Sequence, residues 1–169
     1  DWCNAMLKEV EDNPEDFANV TVLPIAYGDD LPDKSTTEAQ DMLQNYPDID
    51  VIISPTTVGI LSAAKVIQDM GSECKVTGVG LPSEMAPYIE SGICYDCYLW
   101  NPYDQGYLAA ASVNSISTGE STGAVGDTVT AGRLGEYTVE EYYDGGTQVL
   151  LGDPIRFTKE NIGEYKDLF

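Results

Sequence analysis

Histidine is absent from this chain, and basic residues are scarce. Eight Lys and Arg stand against 29 Asp and Glu in 169 residues, a formal charge of −21. Without histidine the chain lacks the commonest general base and the commonest metal ligand. The charge imbalance repels a phosphate backbone, which argues against nucleic acid as a partner and disfavours an anionic membrane surface. The apolar runs are all short, far from the length needed to span a bilayer. No charged-then-apolar leader pattern stands in the first residues. What is present is a 43% apolar composition, enough for one domain with a core plus an appendage.

The four cysteines are Cys3, Cys74, Cys94 and Cys97. Cys94-Tyr-Asp-Cys97 matches the C-x-x-C spacing of metal and redox sites. It lies within a predicted strand over 93–99, where side chains three apart point to opposite faces. Free thiols are therefore expected, with no metal. The acidic loop Asp29, Asp30, Asp33 lacks the EF-hand frame and reads as solvated. The glycine-rich stretch 119–135 has no phosphate-loop lysine.

Alternation of apolar runs and helical patterns organises the rest. Residues 1–10 read as a helix burying Trp2, Met6 and Val10, followed by a strand over Val20 to Tyr27. Ser35 and Glu38 have capping-box spacing ahead of a helix with Ala39, Met42 and Leu43 on one face. A strand at 50–54 turns through Ser54-Pro-Thr-Thr57 into a helix over 57–70, closed by Gly71. A strand over 75–80, a helix capped by Ser83 and closed by Gly92, and the strand 93–99 complete the alternation. This pattern predicts a doubly wound parallel α/β sheet in three layers. A parallel domain ordinarily opens with a strand, and here the first one is expected to be missing. A helix over 103–118 follows, with Asp104 or Gln105 as its cap. Two β segments near 136–140 and 147–151 then flank a hairpin turn at 142–146, ahead of a strand at 155–157 and a helix over 159–167 capped by Thr158.

Ligands of open α/β sheets bind beyond the carboxyl ends of the strands. Pro55, Thr56 and Thr57 stand at that point after the strand at 50–54, with no acid, base or thiol beside them. This composition suits holding a molecule rather than transforming it. Thr56 serves equally well as a helix N-cap. A small flavodoxin-like enzyme is the alternative from another class, and the lack of histidine and of a glycine-rich phosphate fingerprint counts against it.

Six segments in register carry a family resemblance. They are Tyr27-Gly-Asp-Asp30, Ser54-Pro-Thr-Thr-Val-Gly59, Gly78-Val-Gly-Leu-Pro-Ser-Glu-Met85, Leu99-Trp-Asn-Pro102, Ala131-Gly-Arg-Leu-Gly-Glu-Tyr-Thr138 and Phe157-Thr-Lys-Glu-Asn-Ile162. Together they resemble the carboxy-terminal half of type I periplasmic sugar-binding proteins of ABC importers. The rhamnose-binding branch is the nearer one, with the autoinducer-2 receptor as the alternative. The resemblance implies two α/β lobes joined by three crossings, a sugar in the cleft, delivery to an importer permease, and no catalysis or cofactor. Residues 1–99 are then one lobe, 100–150 a hinge crossing with elements docked on an amino-terminal lobe, and 151–169 a return segment. It further implies an extracytoplasmic location, periplasmic or lipid-anchored. Ligand contacts by alignment are Pro55, Thr56, Thr57, Leu81, Trp100 and Asn101. Thr57 stands where the autoinducer-2 receptor has Ala, which favours a polyhydroxylated sugar. Trp100 also suits hinge packing, and Asn101 a turn. The apolar face of helix 103–118 is expected to pack back on its own lobe or to be exchanged in a dimer.

Overall fold

The computed structural model describes residues 2–169. The chain forms two compact units, one from the chain up to Tyr98 with Arg156–Phe169, the other from Leu99–Ile155.

The first unit is built on a parallel ladder. β1 (Val51–Ser54) pairs with β2 (Lys75–Gly78) in the register Val51–Lys75 to Ser54–Gly78. Parallel bridges Val76–Cys94 and Val79–Tyr98 carry the sheet on to β3 (Cys97–Leu99). β3 pairs with β8 (Ile155–Phe157), the strand on which the chain returns. Helices cover this sheet, as the α/β alternation predicts. α3 (Thr57–Met70) buries Ile60, Ala63, Ala64, Val66 and Ile67 and packs along α2 (Pro32–Asn45). Gly71 closes α3 in the left-handed conformation, its N–H reaching Gln68 O and Ile67 O. Gly92 does the same for α4 (Pro82–Ser91). The carboxyl end seals the unit: buried Phe157 meets the rings of Tyr165 and Phe169 edge-on, and Ser83 N–H donates to Phe169 O at 3.3 Å.

Five expectations for this unit need correction. Neither Ser35 nor Ser83 is a cap, because each helix starts earlier, at Pro32 and Pro82, after Leu31 and Leu81. Proline at the first helical position has no N–H to satisfy and a φ already helical, so it sets the start. Residues 20–27 have no regular secondary structure and join no ladder among the described residues. α1 (Trp2–Asp12) is helical but buries none of its residues, with Trp2 52% exposed, and its Met6, Leu7 and Val10 line an open groove. The strand over 93–99 is interrupted at Tyr95 and Asp96, so Cys94 and Cys97 are not held to opposite faces. Both thiols are fully buried, and the hydrogen bond with Cys97, then burial, pushes Cys94 far up. The helix at 159–167 shrinks to α6 (Ile162–Tyr165), and Thr158 Oγ1 instead accepts from Glu160 N–H in the preceding turn.

The second unit holds α5 (Pro102–Thr118) against β4 (Thr128–Thr130). Its small core is Leu108, Val129, Ala131 and Val139. β4 pairs antiparallel with β5 (Glu136–Thr138) around a 3-10 turn at Gly132–Leu134. The first of these strands escaped the sequence reading because three residues among glycines carry almost no periodicity. β6 (Glu140–Glu141) and β7 (Thr147–Gln148) form the expected hairpin, shorter than the pattern suggested. No helix among the described residues is long and apolar enough to cross a membrane.

Candidate ligand-binding loops

Two loops meet at the carboxyl edge of β1 and β2. Ser54 ends β1, and its carbonyl accepts from Val79 N–H at 2.9 Å, tying the two loop origins together. Ser54 Oγ donates to Thr56 O at 3.1 Å, bending the chain through Pro55. Thr56 is the N-cap of α3: its Oγ1 accepts from Gly59 N–H at 3.0 Å. A Cβ at Gly59 would lie 2.3 Å from Ser54 Oγ and 3.0 Å from Thr56 Oγ1, so a side chain there would displace the hydroxyls that shape this turn. Of the alternatives open for Thr56, capping is therefore realised, and its lone-pair capacity leaves the oxygen able to take a second partner. Pro55, Thr56 and Thr57 are half-buried at this edge.

Leu81 ends the neighbouring loop after β2, extended, as the N-cap position of α4. Pro55, Thr56 and Thr57 thus stand at the amino end of α3, and Leu81 at that of α4, the helices that follow the paired strands β1 and β2. No carboxylate stands among them.

Trp100 and Asn101 belong to the start of the second unit. Trp100 Nε1 donates to Gly152 O at 2.7 Å, which fixes the indole on its own unit. Asn101 Oδ1 caps α5, accepting from Tyr103 N–H at 3.0 Å and Asp104 N–H at 3.3 Å. The cap is thus Asn101 rather than Asp104 or Gln105, and its amide Nδ2 has no hydrogen bond among the described residues. Asp104 instead pairs with Arg133 at 2.5 Å, and that guanidinium lies 4.8 Å from the Tyr107 ring centroid.

Sequence reasoning missed a polar network behind the loops. Asp96, almost buried, accepts from Thr77 Oγ1 at 2.8 Å, Tyr98 OH at 3.1 Å and Arg156 Nε at 2.8 Å. Burial and then the Asp96 charge raise the Tyr98 phenol, and the hydrogen bond to Asp96 raises the Arg156 guanidinium. The network joins residues up to sixty positions apart and has no local signature. It positions strands and presents nothing reactive. Sequence reasoning also passed over Gly119-Glu-Ser-Thr-Gly123, which matches the spacing of a nucleophile elbow. Here it follows the end of α5 rather than a strand. Ser121 is buried, and its Oγ donates to the Asp127 carboxylate at 3.2 Å, not to a base. Hydrogen bonds from Thr122, first its hydroxyl and then its N–H, hold the Asp127 carboxyl below its usual value, so it is a loop anchor. Among the described residues no His/Cys/Asp/Glu group is arranged to hold a metal ion.

A family model for the periplasmic binding protein domain matches residues 1–121. A solute-binding protein of an ABC transporter from Clostridium phytofermentas, with bound L-rhamnose, is 38% identical, with a TM-score of 0.91. The match covers 99% of this chain and 55% of that one. A sugar ABC transporter protein from Actinomyces odontolyticus is 37% identical, with a TM-score of 0.81, over 97% of this chain and 52% of that one. LsrB from Clostridium saccharobutylicum, in complex with AI-2, shares the fold at 22% identity and a TM-score of 0.82. The chain thus spans about half the length of these relatives. On the family model and on identity above one third along nearly its whole length, this chain belongs to the periplasmic binding protein domain family.

Proposed function

We propose that these residues form one lobe, with its hinge crossing, of an extracytoplasmic solute-binding protein. It captures a rhamnose-like monosaccharide in an interlobe cleft and delivers it to an ABC importer permease. The observation that carries this reading is the uncharged, hydroxyl-bearing pair of loops at the carboxyl edge of β1 and β2. It occurs in a chain 38% identical to an L-rhamnose-bound transporter protein. Sugar hydroxyls need fixed donors and acceptors and an apolar face, and they need no acid or base. In this reading Thr56 and Thr57 meet hydroxyls, Pro55 and Leu81 supply apolar contact, and Trp100 and Asn101 contribute from the hinge. An amino-terminal lobe supplies the remaining contacts. The autoinducer-2 reading draws on a neighbour that shares only the fold, and Thr57 weighs against it.

The test is a thermal-shift screen of a two-lobe form of the protein, carrying both halves of the cleft, against monosaccharides and autoinducer-2. L-Rhamnose or a close relative is expected to raise the melting temperature, and Thr57→Ala to reduce that shift. Stabilisation by autoinducer-2 alone would reverse the assignment.

A homodimer through α5 forms part of the same proposal. Val113 and Ile116 are 68% and 53% exposed on a helix whose Leu108 is buried. Light scattering after size exclusion is expected to show a dimer for residues 1–169. A monomer at 100 µM, meaning association weaker than about −5.5 kcal/mol, would remove this part.

A further inference from the structure

Cys94 and Cys97 take no part in the proposed ligand site, yet the fold brings them together. An unbroken strand would turn side chains three apart to opposite faces. Here the strand is broken between the two. Cys94 holds a single parallel bridge to Val76, the chain bends at Tyr95, and regular pairing resumes only at Cys97, where β3 begins. Both side chains are fully buried. Their thiols are hydrogen-bonded to each other.

The backbone around this pair is pinned. Cys94 N–H donates to Tyr88 O at 3.0 Å, Val76 N–H to Ile93 O at 3.0 Å and Gly80 N–H to Tyr98 O at 3.1 Å. Asp96, between the two cysteines, takes hydrogen bonds from Thr77, Tyr98 and Arg156. Cys94 Sγ also donates to Asp96 O at 3.1 Å, and Cys97 Sγ reaches Gly80 O at 3.9 Å. An S–H group is a weak donor, so little is lost when both hydrogens leave. The other cysteines lie elsewhere: Cys74 Sγ donates to Lys75 O at 3.3 Å at the start of β2, and Cys3 belongs to α1. Two thiols in contact on a backbone fixed from both sides have the proximity that a covalent bond between them requires.

We propose that Cys94 and Cys97 form an intramolecular disulfide site, closed by exchange with a small disulfide such as oxidised glutathione while the chain folds. One cysteine thiolate attacks a sulfur of the small disulfide, giving a mixed disulfide and one released thiolate. The second cysteine thiolate attacks the cysteine sulfur of that bond and releases the other. The two protein protons end on the released thiols, so the protein is oxidised and the small disulfide reduced. Burial sets the timing. In the folded chain both sulfurs are out of reach of an oxidant and the Cys94 thiol is held protonated, so exchange belongs to the folding chain. Once made, the bond is shielded by the same packing. It closes the short loop that carries Asp96, and so fixes the carboxylate to which β2, β3 and β8 are tied. An oxidising compartment, which the proposed extracytoplasmic location supplies, preserves such a bond. The inference is independent of which sugar, if any, the loops hold.

The experiment refolds the 169-residue chain from urea in a buffer of oxidised and reduced glutathione, alkylates the free thiols in denaturant and maps them by trypsin and mass spectrometry. Trypsin separates Cys3 and Cys74 from the pair, since Lys75 and Arg133 bound a peptide, residues 76–133, with no Lys or Arg inside it. That peptide is expected about 2 Da lighter and unalkylated, the loss of two hydrogens, while Cys3 and Cys74 are alkylated. Chain kept in urea in the same buffer is expected to yield about tenfold less of it, because only the fold holds the thiols in contact. Cys94→Ser should leave Cys97 open to alkylation, and Cys97→Ser should do the same for Cys94. The oxidised chain is expected to melt about 4–8 °C above the reduced one, the effect of closing so short a loop. Alkylation of both Cys94 and Cys97 in the refolded chain overturns the proposal. So does a bond to Cys3 or Cys74, equal closure in urea, or an oxidised chain that melts no higher than the reduced one.

Discussion

Calorimetric titration of residues 1–169 with L-rhamnose is expected to give no heat of binding below about 1 mM, by the following free-energy arithmetic. A micromolar site corresponds to roughly −8 kcal/mol and a millimolar one to roughly −4 kcal/mol. In the proposed reading the first unit would offer a sugar two hydroxyls, Thr56 and Thr57, and the apolar surfaces of Pro55 and Leu81. One of those hydroxyls already caps α3 through Gly59 N–H. Asn101, which the proposed reading adds from the hinge, likewise has its Oδ1 engaged in a cap. Receptors that close around a ligand take their affinity from contacts on both jaws and from the exclusion of water on closure. Half of that set holds a sugar in open solvent, where each hydroxyl exchanges a water bond for a protein bond at little net gain. A loss of about 4 kcal/mol, a thousandfold, follows. Heat at micromolar sugar would show that these residues form a complete site, and the two-lobe reading would fall.

The parts of the fold legible in the sequence are those where local chemistry decides. Gly71 and Gly92 end helices because only a residue without a Cβ adopts their left-handed turn cheaply. β1 and β2 are apolar runs between turn signals. Helix starts were misread where two signals compete. Ser35 with Glu38 has the spacing of a capping box, yet Pro32 begins the helix three residues earlier and carries Ser35 into a buried position. Residues 20–27 have the composition of a strand, but a strand exists only with a partner, and no described residue pairs with them. Topology places the loop Ser54–Thr57 at a strand end, and the family resemblance places Leu81; the structure has Ser54 end β1 and Leu81 precede α4. The Asp96 network was invisible, since Thr77, Asp96 and Arg156 meet only after β2, β3 and β8 align.

Gly78→Ala is expected to be the most damaging single substitution at the candidate site, lowering the melting temperature by about 6–12 °C, on the basis of roughly 2–4 °C per kcal/mol for a chain of this size. Gly78 has φ of +137°, a conformation that residues with a side chain scarcely adopt. A Cβ built there lies 1.9 Å from Ser54 O, 2.7 Å from its carbonyl carbon and 3.0 Å from its nitrogen. All three are backbone atoms of β1, so no side chain can rotate aside, and the strands themselves must part. Strain at this φ and overpacking against a strand each cost about 1–3 kcal/mol, giving roughly 3 kcal/mol or more together. Gly71→Ala is the control: its φ is also positive, at +63°, but a Cβ there meets nothing within 4 Å. That variant pays only for the left-handed turn, about 1 kcal/mol, and should melt no more than about 4 °C below the parent. The contrast separates backbone conformation from close approach. Separating β1 from β2 also breaks the Val79 N–H to Ser54 O bond that sets one ligand loop beside the other. In a two-lobe protein Gly78→Ala should therefore lose sugar-induced stabilisation even at temperatures where the fold persists, whereas Gly71→Ala should retain it. Equal melting of the two variants would mean that the strands do not meet as closely as Ser54 and Gly78 do here.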